Sequence, residues 1–180
     1  MKVIFLDIDG VLNTSETYEK VNNKFKRTGI LDAAIDEFRL AYLKNIIEKT
    51  NAKIVLSASC RNSFVKKNNK IIPISDKGEK IYNLLNSYGI EIYDITPSNY
   101  DPQNREITVT EWLSNNDGID NFIIIDDEPN MFKDLLDRLI KTSKVKDDEM
   151  LINVDDCVGL CEEHIPIAIN MLKTKVKVKK

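Results

Sequence analysis

The run Val3-Ile4-Phe5-Leu6 passes without a break into Asp7-Ile8-Asp9-Gly10. A short apolar run of β-branched and aromatic residues reads as a strand buried on both faces, which needs a parallel sheet with helices on either side. Chemistry in such sheets collects beyond the carboxyl ends of the strands, where Asp7 and Asp9 fall. Residues two apart on an extended backbone share a side, so the two carboxylates face one another's field. Each disfavours ionisation of the other unless a cation lies close by. Gly10 permits a sharp turn and leaves the backbone open to a phosphate or metal. Asp and Gly are also ordinary loop residues after a strand, so the rest of the chain must decide between a turn and a site.

Further along, Ala52-Lys53-Ile54-Val55-Leu56 reads as a second buried strand, ending in Ser57-Ala58-Ser59-Cys60-Arg61. Between the two lies a helical spacing over 36–50, with Phe38, Ala41, Tyr42, Ile46 and Ile47 as its apolar positions, Asp36 as N-cap and Asn51 near the stop. Strand, helix, strand is the start of a right-handed βαβ unit. Residues 13–29 are polar without a clear period and read as an extended loop or small hairpin over the sheet edge. A polar connection over 62–75 precedes a helix over 76–88 closed by Gly89. Ile90 to Ile95 reads as the third strand, and a loop from Thr96 to Pro102 leads to a helix over 105–113 with Ile107, Val109, Trp112 and Leu113 inward. Asn121-Phe122-Ile123-Ile124-Ile125 is the fourth strand, ending in Asp126-Asp127-Glu128-Pro129. Pro129 suits the first turn of a helix carrying Met131, Leu135, Leu136 and Leu139. A fifth strand is expected over 150–154 and a last helix over 162–172. The expected fold is α/β: a Rossmann-like three-layer sandwich around a central, mainly parallel five-stranded sheet, with no large cap domain. Residues 1–172 form one domain with a flap-sized segment over 13–34, and 173–180 is a basic tail.

Three buried strands thus end in polar chemistry at one edge: Asp7 and Asp9, then Ser57, then Asp126 and Asp127. Four converging carboxylates would destabilise one another without a divalent cation, and oxygen-only ligands suit Mg²⁺.

These landmarks resemble the haloacid dehalogenase (HAD) superfamily of phosphohydrolases. Asp7-Ile8-Asp9-Gly10-Val11 is similar to its first motif, Ile54-Val55-Leu56-Ser57 to its second, and Ile123-Ile124-Ile125-Asp126-Asp127 to its acidic fourth. Arg105, at a helix start before the fourth strand, resembles the basic third motif. Ser57 to Arg61, Arg105-Glu106-Ile107 with Trp112-Leu113, and Gly159-Leu160 resemble small capless HAD domains of the RNA-repair-associated type. The resemblance implies a Mg²⁺-dependent phosphomonoesterase that works through an aspartyl-phosphate. Asp7 is then the nucleophile and Asp9 the proton shuttle, with Ser57 and Arg105 on the phosphoryl group. Mg²⁺ would be held by Asp7, the Asp9 carbonyl and the Asp126–Asp127 pair, Asp127 directly and Asp126 at one remove. Arg61, four residues past Ser57, either reaches substrate phosphate or caps and solvates a helix face.

The short gaps after the first and third strands leave an open site, which suggests a phosphorylated substrate as large as a polynucleotide end. Small nucleotide or sugar phosphates and phosphoproteins are the other substrates considered, and a catalytically silent interaction domain on the same fold is the alternative to an enzyme. The net charge of −3 and a pI of about 5.3 give no global field for nucleic acid or an anionic membrane. No apolar run approaches the ~20 residues of a membrane span. Three cysteines argue against a disulfide framework and for the cytoplasm, and nothing indicates an oligomeric state. Ile125-Asp126-Asp127 also looks like the opening of a signalling receiver, but too little chain follows it for the further βα units such a domain needs. Cys157, Cys161 and His164 have a metal-like spacing yet offer three ligands where a structural zinc needs four. Cys60 and Trp112 read as core residues.

Overall fold

The computed structural model of the chain describes residues 1–28, 32–98 and 105–174. Its elements, in order, are β1 (Lys2–Leu6), α1 (Ser15–Thr28), α2 (Glu37–Thr50), β2 (Lys53–Leu56), β3 (Phe64–Lys67), β4 (Lys70–Pro73), α3 (Asp76–Ser87), β5 (Ile92–Ile95), α4 (Arg105–Asn115), β6 (Asn121–Asp126), β7 (Leu139–Lys141) and α5 (His164–Lys173). The main sheet has the order β5-β2-β1-β6-β7, and every neighbouring pair is parallel. β1 is central, with Leu6 opposite Leu56 on one side and Ile125 on the other.

The two-residue side-chain period divides the core into two layers. Ile4, Leu6, Ile54, Leu56, Ile123 and Ile125 face a large cluster that also takes in Leu40, Leu43 and Ile46 of α2, Leu85 of α3 and Leu172 of α5. Val3, Phe5, Val55, Phe122 and Ile124 face a smaller one with Val109 and Trp112 of α4 and Phe132. There the Phe5 ring meets Trp112 and Phe122 edge-on, at centroid distances of 5.4 and 5.8 Å. The three-layer α/β arrangement is therefore as the alternation of strands and helices implies.

Several local expectations fail, each for a physical reason. Residues 15–28 form a helix, α1, rather than an extended loop or hairpin. Its start is closed by the Thr14 N–H donating to Thr17 Oγ1 at 2.9 Å; Tyr18, Val21 and Phe25 carry a helical period, but among so many charged and amide residues that the segment reads as polar. The connection over 62–75 contains the β3–β4 hairpin, turned by Asn68 and Asn69 at φ 52° and 59°. Paired positive φ values of this kind are what a two-residue hairpin turn demands, and asparagine tolerates them. The helix expected after Pro129 is two short 3₁₀ turns, Pro129–Met131 and Leu136–Arg138. Only a dozen residues separate the end of β6 from β7, a crossover at the lower limit for parallel neighbours, and Phe132 is drawn fully into the core on the way.

The fifth strand is Leu139–Lys141, not 150–154, where Met150, Ile152 and Val154 are exposed. Alternation at 150–154 mimics a strand, whereas Leu139 and Ile140 supply the sheet's edge. Asp36 does not cap α2 with its side chain, whose Oδ2 instead accepts from Thr17 Oγ1 (2.7 Å) and Arg39 Nε (3.0 Å). Phe38 and Ile107, expected on inward faces, are exposed; Leu40 with Leu43, and Thr108 with Val109, take those places. The basic tail from residue 175 lies outside the described residues, as does the part of the expected 96–102 loop from residue 99 on. Among the described residues no helix is long and apolar enough to cross a membrane.

Candidate active site

β1 and β6 end side by side because each is a run of apolar residues buried on both faces and stopped by a carboxylate. The Asp7 N–H still donates to the Ile125 carbonyl at 3.0 Å, so Asp7 leaves the sheet in register with β6. Its Oδ1 accepts from the Ile8 N–H at 2.8 Å, which fixes the side chain over the sheet edge. Arg105, the first residue of α4, places Nη1 between two acids: it donates to Asp7 Oδ2 and, at 2.5 Å, to Asp126 Oδ2. Asp126 Oδ1 accepts from the Glu128 N–H at 2.9 Å. Asp7 and Asp126 are both buried, and among the described residues this guanidinium is the one cation that forms an ion pair with either.

Burial alone would lower the Arg105 pKa, but Asp7 and Asp126 more than reverse that and hold its proton firmly. Asp126 is pushed well above the ordinary carboxylate range by burial, against the pull of Arg105 and with Asp7 and Asp127 adding repulsion. Asp127 rises to about 6, through burial first and Asp7 second. One cation is thus too little for three acids. Asp7, Asp126 and Asp127 each offer an oxygen, and those oxygens lie within 4.8 Å of one another. Buried, close and under-neutralised, this oxygen set fits a small hard cation such as Mg²⁺.

Asp127 is held in place by what surrounds it. Gly10 has φ +72°, and a Cβ there would lie 2.1 Å from Asp127 Oδ2, so only glycine lets the β1 turn close over this acid. The Cys157 thiol, itself pushed up to about 12 chiefly by burial, donates to Asp127 Oδ2 at 3.2 Å. Thr142 Oγ1 donates to the Gly10 carbonyl at 2.9 Å and ties the same turn to the chain beyond β7.

Asp9 sits in different surroundings, half-buried at the mouth. Its Oδ1 accepts from Tyr18 OH at 2.6 Å and from Asn13 Nδ2 at 3.0 Å. Asn13 also accepts from the Gly10 N–H (2.9 Å) and donates to the Ala34 carbonyl (2.8 Å), so one amide locks the turn, the acid and the segment before α2. Burial and the neighbouring Asp9 raise the Tyr18 pKa, keeping its hydroxyl a donor. Together Asp7, Asp9, Tyr18, Arg105, Asp127 and Cys157 line part of a cavity of about 430 Å³.

Ser57 and Arg61 do not line that cavity. Ser57 is fully buried at the end of β2, and among the described residues its Oγ has no hydrogen-bond partner. An orphaned buried hydroxyl costs about 1–3 kcal/mol, a debt that a bound oxygen would cancel. Arg61, also buried, donates Nη1 to the Ser57 and Ala58 carbonyls at 3.1 Å each and Nε to the Pro97 carbonyl at 3.3 Å. It braces the loop that carries Ser57, and among the described residues its Nη2 has no acceptor. The Cys157, Cys161 and His164 side chains go separate ways: Cys157 to Asp127, the Cys161 thiol to the Gly159 carbonyl, and His164 Nδ1 accepting from the Cys161 N–H at 2.9 Å.

Sequence reasoning missed Tyr18, Asn13 and Cys157. Tyr18, Val21 and Phe25 do recur at helical spacing inside the polar segment, a signal for α1, although the Tyr18 and Phe25 side chains stay exposed. Nothing in the sequence points Cys157 at Asp127, because that contact depends on the chain's path after β7.

A family model described as the HAD domain in Swiss Army Knife RNA repair proteins matches residues 3–165. No curated protein and no solved structure matches the chain.

Proposed function

The chain belongs to the family of HAD domains in Swiss Army Knife RNA repair proteins, and from that premise we propose that it is a Mg²⁺-dependent phosphomonoester hydrolase. The observation that carries the reading is the pairing of a buried Asp7, braced by Arg105 and the Ile8 N–H, with a half-open Asp9 two residues on. One carboxylate is aimed and desolvated, as a nucleophile should be; the other keeps contact with solvent and donors, as a proton carrier should.

In the first step Asp7 attacks phosphorus in line, forming the Asp–phosphoryl bond as the bond to the leaving oxygen breaks. Asp9 gives its proton to that oxygen, which departs as an alcohol. In the second step Asp9 takes a proton from water, whose oxygen attacks phosphorus and frees Asp7 and inorganic phosphate. Arg105 offsets charge on the phosphoryl oxygens and on Asp7 throughout. Ser57 Oγ, unpartnered and buried beside β1, is assigned to a phosphoryl oxygen, and Arg61 steadies its loop with Nη2 left to join it. Mg²⁺ would be held by Asp7, Asp127 and the Asp9 carbonyl, with Asp126 at one remove, and would supply charge neutralisation between nucleophile and phosphate. Asp126 suits the outer place because, unlike Asp7 and Asp127, it does not line the cavity.

The substrate we propose is a phosphorylated polynucleotide end. Among the described residues the site carries no cap larger than α1, and the matching family is named for RNA repair proteins. Hydrolysis of p-nitrophenyl phosphate should proceed with Mg²⁺, stop with EDTA, and fall about 10³-fold or more in Asp7→Asn. Activity surviving Asp7→Asn, or absent with Mg²⁺, would sink the enzyme reading.

A further inference from the structure

A second cavity, also of about 430 Å³, adjoins the first across a shared wall of Asp9, Asn13 and Tyr18. It has an apolar floor in which Ile8, Ile35 and Ile81 are buried, with Ala33 and Ala34 beside them. Lys77 and Lys80, successive exposed positions on one face of α3, stand at its rim. Among the described residues neither lysine has an ion-pair partner. Of the carboxylates there, Asp32 is engaged by Lys24, and Asp76 lies in the first turn of α3.

We propose that this cavity is the leaving-group subsite, and that it takes the terminal nucleoside of the substrate with the next phosphodiester resting on Lys77 and Lys80. The proposal deepens the phosphatase reading and rests on it for the direction of the leaving group. If Asp7 attacks in line, the leaving oxygen lies opposite it and beside Asp9, the residue that protonates it. Asp9 is a wall of both cavities, so whatever the leaving oxygen carries passes Tyr18 into the second one. A group that fits there must bury a flat apolar face over Ile8 and Ile81, offer a hydrogen-bonding edge to Asn22, and end in negative charge beside the lysines. A sugar phosphate has no such face, and a nucleoside flanked by a phosphodiester has all three features.

The test is equilibrium binding of the product half, which needs neither Mg²⁺ nor turnover. Calorimetric titration should show the wild-type protein binding a dinucleoside monophosphate (UpU) more tightly than uridine. Lys77→Ala/Lys80→Ala, on an exposed face outside the catalytic machinery, should weaken UpU about three- to tenfold and leave uridine unchanged. Ala33→Phe, which fills the cavity, should abolish both, with circular dichroism confirming its fold. In turnover, the double lysine variant should raise KM for a 3′-phosphorylated dinucleotide and leave p-nitrophenyl phosphate hydrolysis as it was. Equal binding of UpU and uridine, UpU binding indifferent to both variants, or preference for a phosphoserine peptide over the dinucleotide would overturn the subsite. Failure of p-nitrophenyl phosphate hydrolysis would instead strike the phosphatase reading, with the binding result still readable.

Discussion

The two carboxylates that follow β1 are separated by one residue and belong to different kinds of environment. Asp7 lies on the buried side, shared by the Arg105 guanidinium with Asp126 and fixed further by the Ile8 N–H. Asp9 lies on the open side, held by a phenol and an amide from the segment that leads into α1 and from α1 itself. The buried side is built by strand ends and cannot shift without disturbing the sheet. The open side is built by a helix with one buried residue, and rests on a few neutral hydrogen bonds. Charge and rigidity are concentrated at the proposed nucleophile, and adjustability at the proposed proton carrier.

Substitutions on either side should separate these two halves. Arg105→Met leaves Asp7 and Asp126 buried without a countercharge, so chemical denaturation should show a loss of about 3–5 kcal/mol, along with the loss of activity. If its stability matches that of wild type, the buried half is not the ionic unit described. Tyr18→Phe removes one neutral donor while Asn13 keeps its bond to Asp9, so the fold should be unaffected and kcat should drop about fivefold, the equivalent of roughly 1 kcal/mol. A loss in Tyr18→Phe as large as that in Arg105→Met would erase the distinction.

The smallest effect is expected far from either acid, at His164, whose Nδ1 must be unprotonated to accept from the Cys161 N–H. Burial depresses its pKa below the ordinary 6.5. The unfolded chain therefore binds the proton first as pH falls, and this contribution to stability is present above 6.5 and lost through the window down to the depressed folded value. His164→Gln should flatten that part of the stability–pH curve, and a curve unchanged by the substitution would show that His164 does not titrate as described.

The same division explains what could be read in the sequence. Asp7, Asp126 and Ser57 were legible because each terminates a run of apolar residues, and a buried parallel strand leaves little choice about where its next residue goes. Arg105 was legible through its family motif, since its spacing alone does not distinguish it from an exposed helix arginine. Tyr18 was not, because its helical spacing with Val21 and Phe25 sits in a segment otherwise made of polar and charged residues. The misplaced fifth strand has the opposite cause: 150–154 alternates convincingly but meets no partner, while Leu139–Lys141 is short and gains its place only from Ile124–Asp126 alongside. Local pattern governs where a segment is self-sufficient, and neighbours govern where it is not.

The central place of β1 also sets a timetable. Its second edge pairs with β6, so Leu6 waits for Ile125, and the turn beyond it waits longer still: the Leu160 N–H donates to the Val11 carbonyl, and Arg39 Nη1 donates to the carbonyls of Val158 and Leu160. Contacts this distant along the chain slow the search for the native state far more than they weaken it. During synthesis β1 emerges well before β6, and one side of the strand stays without its neighbour until β6 follows. The element that carries Asp7 is thus completed only when strand and turn partners far along the chain have joined it.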